Sequence, residues 1–264
     1  MKNILMTGNR GFIGSHLSSY LSTDFNIIGV DRKDGKEVMD IKELNSIDYV
    51  IHLAAQTSVW NTDYKQIIKD NVIAFKHILD LCKASNVKFI YASSSCSINI
   101  TSLYGLSKMF NDIYAKHYGV GLRLHNVYGT NSRMDTLCGK CLNNEDIILF
   151  NNGENKRHFT YVNDVCKAIE ESLTLPDGLY NVVNPTYNTT KEFVTEVQKY
   201  KDLKVTLTEE VRLNDKEIQN VNALFPNLVT TPTTIEEGIK KIFENKAILG
   251  TYKTKTINDT NDNL

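Results

Sequence analysis

A tyrosine and a lysine stand four residues apart at Tyr104 and Lys108. On a helix this spacing puts both side chains on one face, one turn from each other. A lysine ammonium favours the phenolate form of a nearby tyrosine and brings its pKa, ordinarily about 10, towards neutral pH. The pair is therefore suited to act as a general base towards a hydroxyl group of a substrate.

Three glycines near the N-terminus, Gly8, Gly11 and Gly14, predict a turn that binds a diphosphate. They follow an apolar strand that begins at Asn3 and lead into an amphipathic helix over 12–21. The first glycine allows a tight turn, the second allows close approach to a pyrophosphate, and the third lets helix and strand pack closely. The helix N-terminus then offers N–H groups and a favourable dipole to the anion.

A second apolar strand over 26–30 ends at Asp31, about 20 residues beyond the glycine turn. A carboxylate at this position accepts hydrogen bonds from the ribose hydroxyls of an adenosine. The strands, glycines, helix and acid together predict dinucleotide binding. Asp31 favours NAD over NADP because it repels a 2′-phosphate, but Arg32 leaves NADP open because a guanidinium can bind that phosphate.

Strands and helices alternate along the chain that follows. Apolar runs typical of buried parallel strands occupy 48–53, 87–92 and 121–124. Helical periodicity covers 63–83 and 103–117 between them. This alternation predicts an α/β fold with a Rossmann-like, doubly wound parallel sheet, whose ligands bind beyond the carboxyl ends of the strands. The residues expected at that edge are Gly8, Asp31, Ala54, Ala55, Ser93, Ser94 and Ser95.

Composition and charge narrow the class of protein. With 30 basic and 31 acidic residues, the net charge of −1 gives no electrostatic case for binding nucleic acid or an anionic membrane. No apolar run approaches the ~20 residues needed to cross a bilayer, and no signal peptide is visible. Five cysteines without a disulfide-framework spacing predict reduced thiols and a cytoplasmic location. Cys138 and Cys141 lack a second ligand pair, so no metal site is expected.

Several spaced motifs carry a family resemblance. They are Thr7–Gly14, His52–Ala55, Asp70–Val72, Ser93–Ser95, Tyr104–Lys108, Leu122–Gly129, Arg157–Asp164 and Arg212–Asp215. In this order they resemble the extended short-chain dehydrogenases/reductases, in the NAD-dependent nucleotide-sugar epimerase/dehydratase branch. The resemblance covers roughly residues 1–245. It implies NAD as cofactor, with NADP less favoured, and a nucleoside diphosphate sugar as substrate.

The resemblance also implies a division of the chain. An NAD-binding Rossmann domain spans 1–125, and 162–182 returns to it. A smaller C-terminal α/β domain, 126–161 with 183–249, binds the nucleotide sugar, and 250–264 is a polar tail. In this family the helices corresponding to 63–83 and 103–117 pair across a twofold axis, so a homodimer is expected.

Carried over by position, the resemblance implies three catalytic residues. Ser95 hydrogen-bonds the reacting sugar oxygen, Tyr104 is the base, and Lys108 holds the nicotinamide ribose and tunes the tyrosine. The implied cofactor-binding residues are Gly8, Arg10, Gly11, Phe12, Ile13, Gly14, Asp31, Arg32, Asp40, Ile41, Leu53, Ala54, Ala55, Asn71, Ser93, Tyr104 and Lys108. The implied substrate-binding residues are Ser95, Asn126, Arg157, Arg212 and Asp215.

Two departures from the family pattern bear on the reaction. Ser95 and Tyr104 are closer in sequence than in relatives, so either the site is more open or the serine role passes to Ser94 or Ser97. The 4,6-dehydratases place an Asp-Glu pair where this chain has Cys96 and Ser97, so dehydration is not expected. The stretch over 126–135 resembles UDP-hexuronate 4-epimerases. It favours a UDP-sugar 4-epimerase, with a keto-reductase and a non-catalytic NAD-binding relative as alternatives.

Overall fold

The computed structural model describes residues 1–212 and 225–244. Its strands are β1 (Lys2–Thr7), β2 (Phe25–Val30), β3 (Tyr49–His52), β4 (Lys88–Ser94), β5 (Val120–Leu124), β6 (Val127–Tyr128), β7 (Ile147–Leu149), β8 (Lys156–Arg157), β9 (Thr160–Tyr161), β10 (Gly178–Val182), β11 (Asn188–Thr189) and β12 (Val205–Leu207). Its α-helices are α1 (Phe12–Leu21), α2 (Tyr64–Ile67), α3 (Ala74–Ser85), α4 (Leu103–Tyr114), α5 (Leu137–Leu142), α6 (Val162–Ser172) and α7 (Thr190–Gln198). A π-helical segment, Ile68–Ile73, joins α2 to α3, and residues 235–244 are also helical.

Six parallel strands form the central sheet in the order β10-β5-β4-β3-β1-β2. The chain leaves β1 for β2 on one side and then crosses to β3 on the other side of β1. Strand order therefore reverses between β1 and β3, and folds of this kind bind ligands in the crevice that opens there. The predicted Rossmann-like, doubly wound parallel sheet is confirmed.

The sheet is covered on both faces because its side chains alternate between them. Ile4 and Met6 of β1 point to the layer that contains Leu17 of α1, whereas Leu5 points to the opposite layer with Phe75 of α3. This two-residue period is inherent in strand geometry. Burying each side chain of this size contributes about 1.5–3 kcal/mol to stability. The two layers hold the ends of the strands in fixed positions.

A third hydrophobic cluster lies beyond the sheet, among residues of the C-terminal half. It is centred on Tyr128, Phe159 and Phe193, and the rings of Phe159 and Phe193 stack at 4.4 Å. By contrast, α6 and β10 pack into the central sheet. On this basis we propose the division expected from the sequence, with 162–182 in the Rossmann domain. The predicted tail over 250–264 lies outside the described residues.

Two predicted helices differ in detail from the observed ones. The helix expected over 63–83 contains the π-helical segment Ile68–Ile73, which periodicity does not reveal. The helix expected over 103–117 ends at Tyr114, because the chain turns back through a hydrogen bond from Tyr118 N to Ala115 O. Within 1–212 and 225–244, no helix combines the length and the apolar character that crossing a bilayer requires.

Candidate functional site

The glycine turn joins β1 to α1 and leaves no room for a side chain at Gly8 or Gly14. Gly8 has a φ of +74°, and a Cβ atom there would lie 2.7 Å from the backbone nitrogen of Ala54. A Cβ atom at Gly14 would lie 2.1 Å from the carbonyl oxygen of Gly8. Gly11 is the N-cap of α1 and makes no side-chain capping bond, so the first turn of α1 presents its N–H groups beside the cavity. This cradle fits the diphosphate of a dinucleotide.

One cavity of about 620 Å³ runs from the glycine turn to the end of β4 and on to the start of β6. This volume is typical of a small-molecule or cofactor site. The predicted residues that line it are Gly8, Gly11, Phe12, Ile13, Gly14, Asp31, Arg32, Leu53, Ala54, Ala55, Ser93, Ser95, Tyr104, Lys108 and Asn126. Residues far apart in the sequence thus share one site.

Asp31 lies at the end of β2, where its carboxylate is held by the backbone. Its Oδ2 accepts a hydrogen bond from Arg10 N at 3.0 Å, and its Oδ1 accepts one from Lys33 N at 2.9 Å. Each carboxylate oxygen has a second lone pair. Asp31 can therefore also accept hydrogen bonds from the ribose hydroxyls of a dinucleotide.

Several predicted cofactor residues lie in the wall around the cavity instead of lining it. Asp40 accepts from the backbone of Glu37, and it is Val38 and Met39 that line the cavity at this end. Asn71 is buried, and its amide bonds both Gln56 and Ser107. The residues that do not line the cavity are Arg10, Asp40, Ile41 and Asn71. They support the site through the backbone turns that they hold.

The face of α4 that packs against the sheet carries polar side chains. Tyr104, Lys108 and Asp112 follow one another at intervals of four and lie on the same side. Asp112 is buried and accepts hydrogen bonds from Arg123 Nε at 3.1 Å and from Ser97 Oγ at 3.0 Å. Buried charges of this kind are tolerated because they are paired.

Tyr104 and Lys108 meet at the cavity wall, as their spacing predicts. Lys108 is 3% exposed, its Nζ donates to Ala92 O at 2.8 Å, and its Nζ lies 5.8 Å from the centre of the Tyr104 ring. Burial lowers the pKa of Lys108 to about 8, against the opposing charge of Asp112. Burial raises the pKa of Tyr104 to about 12, which is opposite to the predicted shift. Removing the phenolate from water outweighs the hydrogen bond with Ser94 and the positive charge of Arg133, which both lower the pKa.

Ser94, the last residue of β4, interacts with Tyr104. After burial, the largest influence on the Tyr104 pKa is a hydrogen bond with the Ser94 side chain, which lowers it. Ser95 lines the cavity, while Ser97 Oγ donates to Asp112 and to Ser94 O. Of the serines that the sequence left open, Ser94 is therefore the one whose side chain influences the pKa of Tyr104.

The short connection between Ser95 and α4 is possible because it packs directly on the first turn of that helix. A Cβ atom at Gly105 would lie 2.5 Å from the carbonyl oxygen of Cys96. Ser102 caps α4 by accepting a hydrogen bond from Gly105 N at 3.1 Å. Glycine next to Tyr104 thus lets the turn approach the helix closely.

The predicted substrate-binding residues lie at different places around the site. Asn126 lines the cavity with a φ of +32°, a backbone conformation that asparagine tolerates better than most residues. Arg212 stacks on Phe150 at 3.2 Å and lies 5.6 Å from the ring of Trp60. Arg157 is in β8 and does not line the cavity. Asp215 lies outside the described residues.

Sequence reasoning missed Arg133, which lines the same cavity as Tyr104. Its guanidinium contacts Thr57 Oγ1 and pairs with Asp135 at 3.0 Å, and its charge lowers the pKa of Tyr104. Trp60 was not among the predicted site residues either. In the structure it lines the cavity and is 60% exposed. Arg133 could have been found from the sequence, because it lies in the stretch over 126–135 that resembles UDP-hexuronate 4-epimerases.

Comparison with known proteins agrees with this geometry. A family model described as the NAD dependent epimerase/dehydratase family matches residues 4–184. A Bacillus subtilis (strain 168) protein named as an uncharacterized UDP-glucose epimerase is 28% identical over 238 residues, 69% of this chain and 75% of that protein.

Solved structures of the same fold include more than one reaction type. A UDP-N-acetylglucosamine 4-epimerase from Methanobrevibacter ruminantium M1 has a TM-score of 0.78 at 23% identity, covering 92% of this chain and 99% of that chain. TunA, an NAD-dependent NDP-hexosamine 5,6-dehydratase, has a TM-score of 0.80 at 23% identity, covering 94% and 98%. At this identity the likeness shows the fold alone. The family match spans most of the chain and includes the glycine turn, Tyr104 and Lys108, so this protein belongs to the NAD-dependent epimerase/dehydratase family and its cofactor is NAD.

Proposed function

We propose that the chain is an NAD-dependent epimerase of a nucleoside diphosphate sugar, and specifically a UDP-sugar 4-epimerase. The observation that carries this proposal is one cavity that contains a dinucleotide turn at one end and Tyr104, Lys108 and Ser94 at the other. The relative named as a UDP-glucose epimerase supports the substrate class. Such an enzyme inverts one carbon of the sugar through a transient ketone.

In this proposal the cofactor is held by residues of the Rossmann domain. The N-terminus of α1 binds its diphosphate, Asp31 binds its adenosine ribose, and Lys108 binds its nicotinamide ribose. When bound, NAD supplies reversible hydride transfer at the sugar carbon. The chain's own residues supply the proton transfer, orient the sugar and bind the nucleotide.

Tyr104 accepts the proton of the sugar hydroxyl and later returns it. A base with a pKa of about 12 is mostly protonated at neutral pH, so the role requires that the pKa falls in the complete site. Ser94 and Arg133 already act in that direction, and the positive charge of an oxidised nicotinamide in the same cavity adds to their effect. In this proposal the single hydroxyl proton of Ser94 is donated to the Tyr104 oxygen and stabilises the phenolate.

Cys96 and Ser97 argue against water elimination. Cys96 lines the cavity, and Ser97 is buried against Asp112. Eliminating water requires an acid and a base in addition to the tyrosine, and a thiol with a buried hydroxyl cannot replace two carboxyl groups. The same turn is compatible with inversion, which needs proton transfer at Tyr104 and the hydride transfer that NAD would supply, and no further acid or base.

Asn126, Arg157 and Arg212 are the residues that we propose for the nucleotide sugar, together with Asp215. Asn126 is exposed and lines the cavity that also contains Tyr104. An arginine fork suits two phosphate oxygens. Arg212, stacked on Phe150, is close to the aromatic residue Trp60 at the rim of the cavity. We propose that it binds the diphosphate of the substrate.

The proposal is tested by incubating the purified protein, without added cofactor, with a panel of UDP-hexoses, UDP-N-acetylhexosamines and UDP-hexuronates. We expect proton NMR to show one substrate converting to its 4-epimer until both are present at equilibrium. Mass spectrometry of the released ligands should detect NAD. Protein that contains NAD but converts no member of the panel would contradict the epimerase. Consumption of NADPH with a 4-keto sugar would indicate the reductase instead.

Replacing Ser94 by alanine should lower kcat roughly 10- to 100-fold, because a hydrogen bond to a developing charge contributes about 1.5–3 kcal/mol. Ser95→Ala is the matched control, since Ser95 follows directly in the same turn and also lines the cavity. We expect the smaller effect for Ser95→Ala. Steady-state kinetics on both variants measures the difference, and a larger loss at Ser95 would return the catalytic role to that residue.

We also propose a homodimer formed through α4 and the helix over 64–85. Leu106, Phe110 and Ile113 follow the helical period on the outer side of α4 and are 47%, 39% and 64% exposed. Ile73 on the neighbouring helix is 48% exposed. An apolar face of this kind matches an isologous interface. Light scattering at micromolar concentration should give twice the chain mass of 30.0 kDa, and Ile113→Glu should yield the monomer. A monomer in the unmodified protein would contradict the dimer.

We propose a cytoplasmic location for this enzyme. Its five cysteines all lie within the described residues, and no disulfide joins any of them. Burial raises the pKa of the Cys82 and Cys166 thiols to about 12, so these groups remain protonated. Reduced thiols suit a reducing compartment.

A further inference from the structure

Arg32 follows Asp31 directly and lines the same end of the cavity, but its guanidinium is occupied by two carboxylates. Its Nη1 donates to Asp70 Oδ2 at 2.7 Å, and its Nη2 contacts Asp70 Oδ1. Its Nε donates to both carboxylate oxygens of Glu37 at 2.9 Å. The pair with Asp70 is bidentate, which is the strongest arrangement that an arginine makes with a carboxylate.

Asp70 is itself held firmly in the wall of the cavity. It lies in the π-helical segment Ile68–Ile73, is 7% exposed, and also accepts a hydrogen bond from Gln66 Nε2. A π-helical turn shifts the side chains that follow out of the α-helical register, and such turns occur often at functional sites. Burial alone would raise the pKa of Asp70, but the hydrogen bonds from Arg32 and Gln66 outweigh it and leave the pKa below its ordinary value.

Arg32 cannot leave this position without a penalty. The Arg32 side chain is 50% exposed, whereas the Asp70 side chain is 6% exposed. If the guanidinium turned towards another anion, the carboxylate of Asp70 would remain buried with the hydrogen bond from Gln66 and the more distant charge of Lys69. Removing one partner of a buried ion pair is strongly unfavourable because the other charge is left without compensation. The environment of Asp70 therefore keeps Arg32 in place.

We propose that Asp70 sets the preference of this protein for NAD over NADP by holding Arg32 away from the adenosine ribose. A 2′-phosphate at Asp31 would need a cation such as Arg32 to offset the charge of that carboxylate. With Arg32 bound to Asp70 and Glu37, the phosphate instead meets an end of the cavity that contains all three of those carboxylates. The hydroxyls of NAD carry no such charge and bind Asp31 without the help of Arg32.

The other cations at this end do not have the position of Arg32. Lys33, Lys36 and Lys69 also line the cavity, but a lysine presents a point charge without the planar fork of an arginine. The Nζ of Lys33 donates to the carbonyl oxygen of Arg10 at 3.0 Å, and the guanidinium of Arg10 pairs with Asp34. Arg32 is the residue whose fork already faces a carboxylate across the cavity wall. If the Arg32 guanidinium were released from Asp70, it would offer a phosphate both a positive charge and a planar pair of hydrogen-bond donors.

The test is calorimetric titration of NAD and NADP into protein freed of its bound cofactor. Asp70→Asn keeps the shape of the side chain but removes its charge. We expect NADP to bind about tenfold more tightly or better, while the Kd of NAD changes by less than about threefold. Asp34→Asn is the matched control, because it removes one negative charge nearby without touching Arg32. It should leave the ratio of the two affinities unchanged.

The double variant Asp70→Asn with Arg32→Ala separates release of the arginine from simple loss of charge. We expect the gain in NADP affinity to disappear in it. A gain that persists, or an unchanged ratio in Asp70→Asn, would overturn the proposal. Where Asp70→Asn alone does not fold, the double variant, which removes both charges of the pair together, is compared with the unmodified protein. Its NADP affinity should stay within about threefold of the unmodified value, and a marked loss would show that Arg32 already serves the phosphate. These binding measurements are independent of the epimerase reaction, so either proposal can fail without the other.

Discussion

Tyr104→Phe is expected to lower turnover by roughly 10²–10⁴, the range for loss of a general acid–base, while NAD binding stays near that of the unmodified protein. The hydroxyl of Tyr104 is the group that we propose to move the proton of the sugar, and phenylalanine keeps the ring at the cavity wall. The cofactor is held chiefly at the glycine turn and Asp31, which the substitution does not touch. Single-turnover kinetics with each epimer, beside calorimetry with NAD, measures the two effects.

Tyr114→Phe is the matched control for this experiment. It removes a hydroxyl from the same helix, but that hydroxyl contacts Asp80 at 3.3 Å and does not line the cavity. We expect kcat to stay within about threefold of the unmodified value, as for a change remote from the reacting atoms. A Tyr104→Phe variant that remains as active as this control would remove Tyr104 from the mechanism.

Gly11→Val is expected to weaken NAD binding by at least about 100-fold without unfolding the protein. Gly11 has a φ of −73° and an extended conformation, which valine adopts readily. A Cβ atom there would lie 3.1 Å from Gly8 O, a contact that small shifts relieve. The added methyl groups would instead occupy the space beside the first turn of α1 that the diphosphate requires.

Gly14→Val provides the contrast, because its expected effect is on folding. Its Cβ atom would lie 2.1 Å from the backbone oxygen of Gly8 and 2.8 Å from the Cα atom of Asn9. The backbone at Gly8 and Asn9 cannot move aside as the flexible end of a side chain can. We therefore expect the free energy of unfolding to fall by about 3 kcal/mol or more. Thermal unfolding of the two variants distinguishes them. A folded Gly11→Val protein that retains NAD would be incompatible with the role of this turn.

The local parts of the site could be predicted from sequence because they lie within single turns or helices. The glycine turn depends on the spacing of Gly8, Gly11 and Gly14, and the approach of Tyr104 to Lys108 depends on one helical turn. The position of Asp31 follows from the length of α1 and β2. In each case the physical cause acts over a few residues, so the pattern of residue types was sufficient.

Packing between segments that are distant in the sequence determined the other parts of the site. The spacing of residues in the sequence does not show which of these segments come into contact. The contact of Ser94 with Tyr104 depends on how closely the turn at Cys96 packs on Gly105. The lining of the cavity by Val38 and Met39, in place of the expected Asp40 and Ile41, depends on the turn that Asp40 closes with Glu37.

The amino-acid sequence by itself determined the fold, the family and the cofactor class, because these follow from short-range spacing repeated along the chain. Only the tertiary structure decided the state of the groups within the site. Burial, which no local pattern reports, raised the pKa of Tyr104 where the sequence alone predicted a decrease. Arg32 was a candidate for binding a phosphate until the fold brought it to Asp70, 38 residues away, and an ion pair across that distance forms only when the sheet and its helices have packed.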